Sequence, residues 1–510
     1  MARLLIGSVY FLRLDPRRWE EMQPFAPLGT LYAAAYIRAA GHEVHFFDAM
    51  LADSPAEWAE AVARIQPDIA VLFDDNFNYL SKMCLTNMRE AAFAMLASAK
   101  AAQAKIVVCS ADAVDQPHLY LAAGADAVIV GEGEAALAEI VARLEREPAP
   151  NLKTIDGIAV RDDSGAVHRT NRRAPLRDLD AIPPPAWDLV DFDRYRRIWL
   201  DRHGIFAINM ATTRGCPYSC NWCAKPIWGQ SYAVRSPHNV VAELKTLVDA
   251  VSPDYVWFMD DIMGLKPKWW GAFADELERN GLKISFKCLS RADIVLRDGA
   301  IADLKRAGCD IVWLGAESGS QKILDAMDKG LTVAQIQDAT RRLKEAGIRV
   351  GHFIQFGYPG EDVADIAKTI DLIRISPPDE LGISVSYPLP GTGFYERVNQ
   401  ELRGKRNWTD SGDLAMLYRG PFTTDFYRRL HAHVHRDFKM RRSLRQLVHV
   451  LQGRESFRLR HLRSLASALA SAAIAPFSLL LLRVLRARPH RASQALRTAE
   501  ISKSALLARP

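Results

Sequence analysis

The sequence predicts an α/β protein of two parallel-sheet units, a doubly wound sheet followed by a partial (β/α)6 barrel, with a helical, basic C-terminal region behind them. Three observations carry this prediction. Apolar runs at residues 4–9, 43–47, 69–73, 106–108 and 127–130 alternate with amphipathic stretches such as 29–40 and 55–65, and strands separated by helices mean a parallel, doubly wound sheet. The same alternation recurs about six times between 203 and 395, which is the signature of a partial (β/α) barrel. The charge then changes sign. From Arg403 onward 22 lysines and arginines face six acids, whereas the preceding 402 residues hold 44 against 54, an acidic body with a basic tail.

In chain order, residues 1–147 form the first unit. Residues 148–202 read as a connector: a hairpin signal runs from Gly157 to His168 around Asp163-Ser-Gly, and Pro183-Pro-Pro follows and cannot continue a helix or a central strand. In the barrel unit, 203–395, strands fall at 205–210, 255–259, 284–288, 311–314, 350–356 and 383–387, with helices such as 237–251 and 333–346 between them. In both kinds of sheet, functional groups belong at the carboxyl ends of the strands. Residues 396–510 form the helical C-terminal region.

A chain of 510 residues, 49% hydrophobic and 25% charged, is globular and too long for one core. The first ten residues lead straight into a strand without a cleavage site, so no secretory signal is expected. Seven cysteines, with Cys84, Cys109, Cys288 and Cys309 scattered in apolar contexts, do not make a disulfide framework. A reducing cytoplasm is the expected compartment.

The other three, Cys216, Cys220 and Cys223, stand in Thr213-Arg-Gly-Cys-Pro-Tyr-Ser-Cys-Asn-Trp-Cys, just after the first barrel strand. Thiolate is the ligand that iron-sulfur clusters use, and three thiolates on one glycine-led loop leave one iron of a cubane open. A structural zinc site would want a fourth protein ligand. Other strand ends also carry polar or glycine-rich groups: Asp260-Asp261 after the second, Arg291 after the third, Leu314-Gly-Ala-Glu-Ser-Gly-Ser at the fourth and Gln355-Phe-Gly-Tyr-Pro-Gly-Glu at the fifth. On the residues alone, a polar loop cap is an alternative for Asp260-Asp261 and a helix-cap partner for Glu317, while Arg291 reads equally as a surface arginine.

This ordered set resembles the radical SAM enzymes. The resemblance implies that Cys216, Cys220 and Cys223 hold a [4Fe-4S] cluster whose open iron chelates S-adenosylmethionine, which is cleaved to a 5'-deoxyadenosyl radical after electron transfer from a reductant such as flavodoxin or ferredoxin. It further implies that Trp222 packs near the adenine, that Asp260 or Asp261 accepts the SAM amino group, that Arg291 pairs with its carboxylate, that Glu317 and Ser318 meet its ribose and methionine parts, and that the turn at Gly357 borders the adenine.

The first unit resembles the cobalamin-binding domain that precedes the barrel in one large class of these enzymes. Pro27-Leu-Gly-Thr-Leu-Tyr-Ala-Ala-Ala-Tyr-Ile-Arg-Ala-Ala-Gly-His and Asp126-Ala-Val-Ile-Val-Gly-Glu-Gly-Glu carry the likeness; as patterns alone they are also those of any Rossmann-like domain. Two departures stand out. No Asp-x-His-x-x-Gly is present, so no histidine should ligate cobalt from below. Where relatives usually carry Gly-Gly-x-His, this chain has Cys109-Ser-Ala-Asp-Ala-Val-Asp, without the glycines that let backbone approach a corrin.

The expected function is cobalamin-dependent C-methylation of an unactivated carbon, with methylcobalamin as donor. The alternatives are an oxidative cyclase, like the anaerobic magnesium-protoporphyrin monomethyl ester cyclases that the layout also resembles, and a degenerate membrane-associated binding protein. His431 and His435 would share a helix face, but a metal site needs more ligands, and solvated or substrate-side histidines are the simpler reading. Residues 464–482 carry no charge between flanking arginines, which fits a buried helix, a membrane-surface helix or a weak span. With the basic tail, contact with an anionic membrane surface is favoured, so the enzyme is expected in the cytoplasm, peripheral on the inner face of the membrane, acting on a small lipid-like or tetrapyrrole substrate. Nucleic acid is not expected, because the tail lacks stacking aromatics.

Overall fold

The computed structural model describes residues 1–147, 150–225, 227–402, 404–452 and 459–486. Its first sheet has seven strands in the order β2-β1-β3-β4-β5-β6-β7. Strands β1 (Arg3–Gly7), β2 (Glu43–Phe47), β3 (Ile69–Phe73), β4 (Lys105–Cys109) and β5 (Ala127–Ile129) pair in parallel. All five residues of β3 are buried, as a central strand covered by helices on both faces requires. Because β1 lies between β2 and β3, the chain reverses its winding there, and such a switch point opens a crevice beyond the strand ends. The predicted first strand ends two residues early, since Val9 turns its N–H to Asp74 (3.4 Å).

The hairpin of the expected connector joins this sheet. Strands β6 (Ile158–Arg161) and β7 (Val167–Arg169) add antiparallel to β5, because Ile158, Ala159 and Val160 bury their side chains there.

The second sheet is parallel throughout, in the order β15-β14-β13-β12-β11-β8: β8 (Ala207–Met210), β11 (Tyr255–Phe258), β12 (Ser285–Ser290), β13 (Cys309–Glu317), β14 (Arg349–Phe356) and β15 (Glu380–Val385). It is a half-barrel of six sequential strands. A two-stranded ribbon, β9 (Thr213–Arg214) against β10 (Ala233–Val234), rises from the end of β8. Strand β13 runs beyond the predicted 311–314 because a register shift between Gly315 and Glu317 lets small residues continue the pairing.

The C-terminal region is part wall and part hairpin. Trp408 accepts a backbone bond from Thr86 (2.9 Å) and Ser411 donates to Asp15 (2.8 Å), so this stretch is sewn to the first unit. Helices Thr424–Leu451 and Leu459–Arg486 follow. No helix among the described residues is long and apolar enough to cross a membrane, and arginines at 483 and 486 close the apolar run of the last one. The basic tail beyond residue 486 lies outside the described residues.

Gly133 opens the helix Glu134–Arg146 at the carboxyl edge of the first sheet, where a Cβ would stand 2.6 Å from the Phe73 ring and 2.8 Å from Cys109 Sγ. Gly133→Ala should therefore cost about 1–3 kcal/mol of stability through overpacking and lower the thermal midpoint, while Gly281→Ala at an open surface turn tests only backbone strain; equal midpoints for wild type and Gly133→Ala would contradict the packing described.

Candidate functional site

The loop between β9 and β10 carries all three motif cysteines, each half-buried and outside any disulfide. Gly215, with φ +77°, has to be glycine: a Cβ there would meet the Ser231 carbonyl oxygen at 2.4 Å, so the ribbon closes tightly and projects the thiols beyond the ends of the barrel strands. Burial pushes the Cys216 thiol up, and the Cys223 thiol up to about 12. Partial burial disfavours a bare thiolate here, and coordinated iron would supply the compensating cation. Among the described residues no three His, Cys, Asp or Glu side chains lie within reach of a single metal ion; a cubane instead takes its thiolates at separate corners, and the loop's three free thiols fit that donor set.

Around the loop stand the strand-end residues. Asp260 is buried and accepts from Thr212 N (2.7 Å), Thr212 Oγ1 (2.6 Å) and Thr213 N (2.8 Å), which fixes the end of β8; burial raises its pKa to about 6. Asp261 turns toward the first unit and pairs with Lys82 at 2.5 Å. Arg291 is buried rather than on the surface: it lies 3.6 Å over the Tyr218 ring of the cysteine loop, donates to Asp293 (3.0 Å) and reaches the Gly330 carbonyl (3.3 Å). Glu317, with φ +58°, pairs with Lys329 at 2.8 Å. Gly315 makes room for that pair, since a Cβ would stand 2.6 Å from Lys329 Nζ. Lys329 in turn sits 5.8 Å from the Trp222 ring, whose buried Nε1 has no partner. Ser318 is fully buried and bonds Thr369 Oγ1 (3.0 Å). Gly357, φ +85°, donates its N–H to Glu361 (2.7 Å) and accepts from the Tyr418 hydroxyl.

Lys329, Tyr218, Glu361 and Tyr418 were not singled out from the sequence. Glu361 closes the quoted Gln355-Phe-Gly-Tyr-Pro-Gly-Glu turn, whereas Lys329, Tyr218 and Tyr418 depend on contacts across the rim. The pair His431 and His435 is partly buried rather than solvated, with ring centroids 4.4 Å apart and both Nε2 atoms unpartnered. Burial lowers their pKa values to about 4 and about 3, which keeps both rings neutral near pH 7.

The first unit meets the barrel through its own carboxyl edge. Glu132 and Glu134, from the Gly-Glu-Gly-Glu loop after β5, both hold Arg214 of the ribbon, at 2.5 and 2.7 Å. At the end of β4, Ser110 caps a short helix, Ala111–Asp115, by accepting from Ala113 N (3.1 Å); this helix occupies the place of the expected glycine loop. On the same edge two buried oxygens, Ser8 Oγ and Asn76 Oδ1, have no partner among the described residues. A buried hydroxyl and amide oxygen want partners, and the peripheral amides of a corrin both donate and accept, so this edge fits a corrin.

Residues 210–373 match the model of the Radical SAM superfamily, and residues 23–141 that of the B12 binding domain. A methyltransferase of Pyrococcus horikoshii, itself uncharacterized, is 28% identical over 395 residues, covering 75% of this chain and 80% of that one. The anaerobic magnesium-protoporphyrin IX monomethyl ester cyclase of Rubrivivax gelatinosus is 26% identical, covering 74% and 67%. Among solved structures, the cobalamin-dependent SAM radical enzyme OxsB superposes with a TM-score of 0.69 at 17% identity, over 99% of this chain and 75% of that one. The radical SAM methyltransferase TsrM of Kitasatospora setae gives 0.63 at 18%, over 78% of each. At such identities the likeness establishes the fold. The chain is an enzyme with a radical SAM domain over residues 210–373. Ahead of it stands a B12-binding domain, over residues 23–141.

Glu361 is the most perturbed carboxyl bordering the site, raised by burial to about 8 with its Oε1 unpartnered. A folded-state pKa above the unfolded one favours folding at low pH and is lost as pH rises through the folded value. The melting temperature of Glu361→Gln should therefore gain on wild type between about pH 4.5 and pH 8; a difference independent of pH would show that the carboxyl is ionised in the fold.

Proposed function

We propose that Cys216, Cys220 and Cys223 hold a [4Fe-4S] cluster, and that the enzyme uses it with S-adenosylmethionine and cobalamin to methylate an unactivated carbon. The observation that carries this reading is the meeting of two carboxyl edges: the barrel's presents three free thiols, and Arg214–Glu132, Arg214–Glu134 and Lys82–Asp261 join it to that of the first sheet. When bound, the cluster supplies the electron that splits the sulfonium, and the corrin carries the methyl group. The protein's share is positioning and the exclusion of water. Trp222 and the Gly357 turn would flank the adenine. Arg291 would face the SAM carboxylate, Asp261, with Asp260 behind it, the ammonium, and Glu317 with Lys329 the polar groups between, Ser318 buttressing that strand end. Ser8 and Asn76 would meet corrin amides. This division of labour gives residues 1–147 with the hairpin to the corrin, 203–395 to the cluster and SAM, and the start of the C-terminal region, Trp408 to Tyr427, to closing the site, with a flavodoxin or ferredoxin as reductant.

A second reading, oxidative ring closure, has the cyclase relative in its favour; it would leave no added methyl in the product. Anaerobically purified, corrinoid-fed protein should show a corrinoid visible spectrum and release 5'-deoxyadenosine on reduction with SAM, and Cys220→Ala should release none while still folding. Label from the SAM methyl group appearing in product would exclude ring closure; cleavage retained in Cys220→Ala would refute the ligand assignment.

The substrate we favour is lipid-like or a tetrapyrrole, met at an anionic membrane surface. Leu444, Val448 and Leu451 recur on one face of the helix Thr424–Leu451, as do Ile474, Phe477, Leu480 and Val484 on the next, all exposed, and Arg441, Arg442, Arg483 and Arg486 stand exposed beside them. Apolar side chains fringed by arginine suit the headgroup boundary of anionic lipid. The protein should co-sediment with anionic but not neutral vesicles, less so in high salt and less so for Phe477→Glu with Leu480→Glu; equal partition to both vesicle types would dismiss the idea.

A further inference from the structure

We infer that Asn221, between the second and third motif cysteines, is a positioning residue that sets the cluster loop in register with the barrel's last three strand ends. This inference rests on the assignment of that loop to a [4Fe-4S] cluster. All the hydrogen-bonding groups of Asn221 are engaged, and together they reach three pieces of the barrel rim. Its backbone N–H donates to the Met327 carbonyl (3.1 Å) and its backbone carbonyl accepts from Phe394 N (2.8 Å). The side-chain amide donates to the Ala326 carbonyl (2.8 Å) and to Asp328 Oδ2 (2.7 Å). Its Oδ1 accepts from the Tyr358 hydroxyl (2.5 Å).

These partners follow β13, β14 and β15 in turn. Asn221 therefore gathers three strand ends onto the segment that carries Cys220, Trp222 and Cys223.

The turn that receives the side-chain amide also holds two other site residues. Lys329 extends from it to Glu317, and the Gly330 carbonyl accepts from Arg291. Residues 326–330 thus couple the cluster loop, the β13 carboxylate and the β12 guanidinium through contiguous bonds. A shift of Asn221 moves the thiols relative to the groups that would orient SAM, and a misplacement of about an ångström in a bound reactant is enough to impair reaction. Only Asn fills the role with its two donors and one acceptor in this arrangement. Asp would set a carboxylate against the Ala326 carbonyl and Asp328; Ala would strip Asp328 of the amide and leave the Tyr358 hydroxyl only the Ala326 carbonyl (3.0 Å) to donate to, cutting the loop from both.

The test compares wild type, Asn221→Ala and Tyr358→Phe as full-length chains. In the cluster-free protein, hydrogen–deuterium exchange over residues 216–223 should quicken roughly 10-fold or more in Asn221→Ala, which loses three side-chain bonds, and less in Tyr358→Phe, with exchange in β3 unchanged. After anaerobic reconstitution, both variants should keep the wild-type iron content. SAM should then bind Asn221→Ala about 10-fold more weakly, and the change it causes in the reduced cluster's electron paramagnetic resonance should shrink. Exchange and SAM affinity both within twofold of wild type overturn the inference. Should Asn221→Ala fail to fold, Tyr358→Phe, which keeps the ring and removes one hydroxyl, decides by the same readings. Wild type that takes up no iron would sink the cluster assignment, whereas the exchange measurement still judges whether Asn221 holds the loop.

Discussion

A buried guanidinium clamps the two halves of this enzyme together. Arg214 lies buried between Glu132 and Glu134, its two terminal nitrogens each taken by a different carboxylate, with the Tyr32 ring 5.0 Å away. Taking three charges out of water is costly, and the geometry offsets that cost only if all three stay together. The fork of arginine suits two acceptors at once; lysine would offer a point charge. Because Arg214 stands two residues before Cys216, and its partners stand in the loop after β5, the clamp fixes the distance between the cysteine loop and the first sheet. The Lys82–Asp261 pair repeats the link a strand away. Everything placed in the cleft depends on that separation.

Within the barrel rim the same economy recurs. The short turn after the helix Gln321–Ala326 serves Arg291, Glu317 and Asn221 together, so side chains from β12, β13 and the cysteine loop share one support. Functional groups are held best when their neighbours are already locked by packing and hydrogen bonds. Buried Asp260 locks the end of β8 in the same manner through the Thr212 and Thr213 amides.

The C-terminal region changes character along its length. Its beginning completes the catalytic body: Tyr418 caps the Gly357 carbonyl, Tyr427 packs against the same glycine, and Trp408 and Ser411 bond to the first unit. Its later helices leave apolar side chains in the open. Composition averaged over both parts reads as one basic tail, although the contacts divide them.

Local pattern alone determined the two sheets, because a parallel strand buried on both faces must be a short apolar run and its crossover helix must be amphipathic. It also determined the cysteine loop, whose three thiols lie within eight residues of one another, and which strand ends carry polar groups. Boundaries slipped where polarity interrupts the pattern, as at Glu380 in β15 and Gly315 in β13. Only the tertiary structure decided how those groups are used. The hairpin at 158–169 reads as connector because nothing local says that β5 has a free edge beside it. Arg291 reads as well as a surface arginine as a site residue, because Tyr218, which covers it, lies 73 residues away in the chain. Glu132, Glu134, Lys329, Tyr358 and Tyr418 were legible as residues and illegible as partners, since each acts through a contact that exists only once the chain has closed.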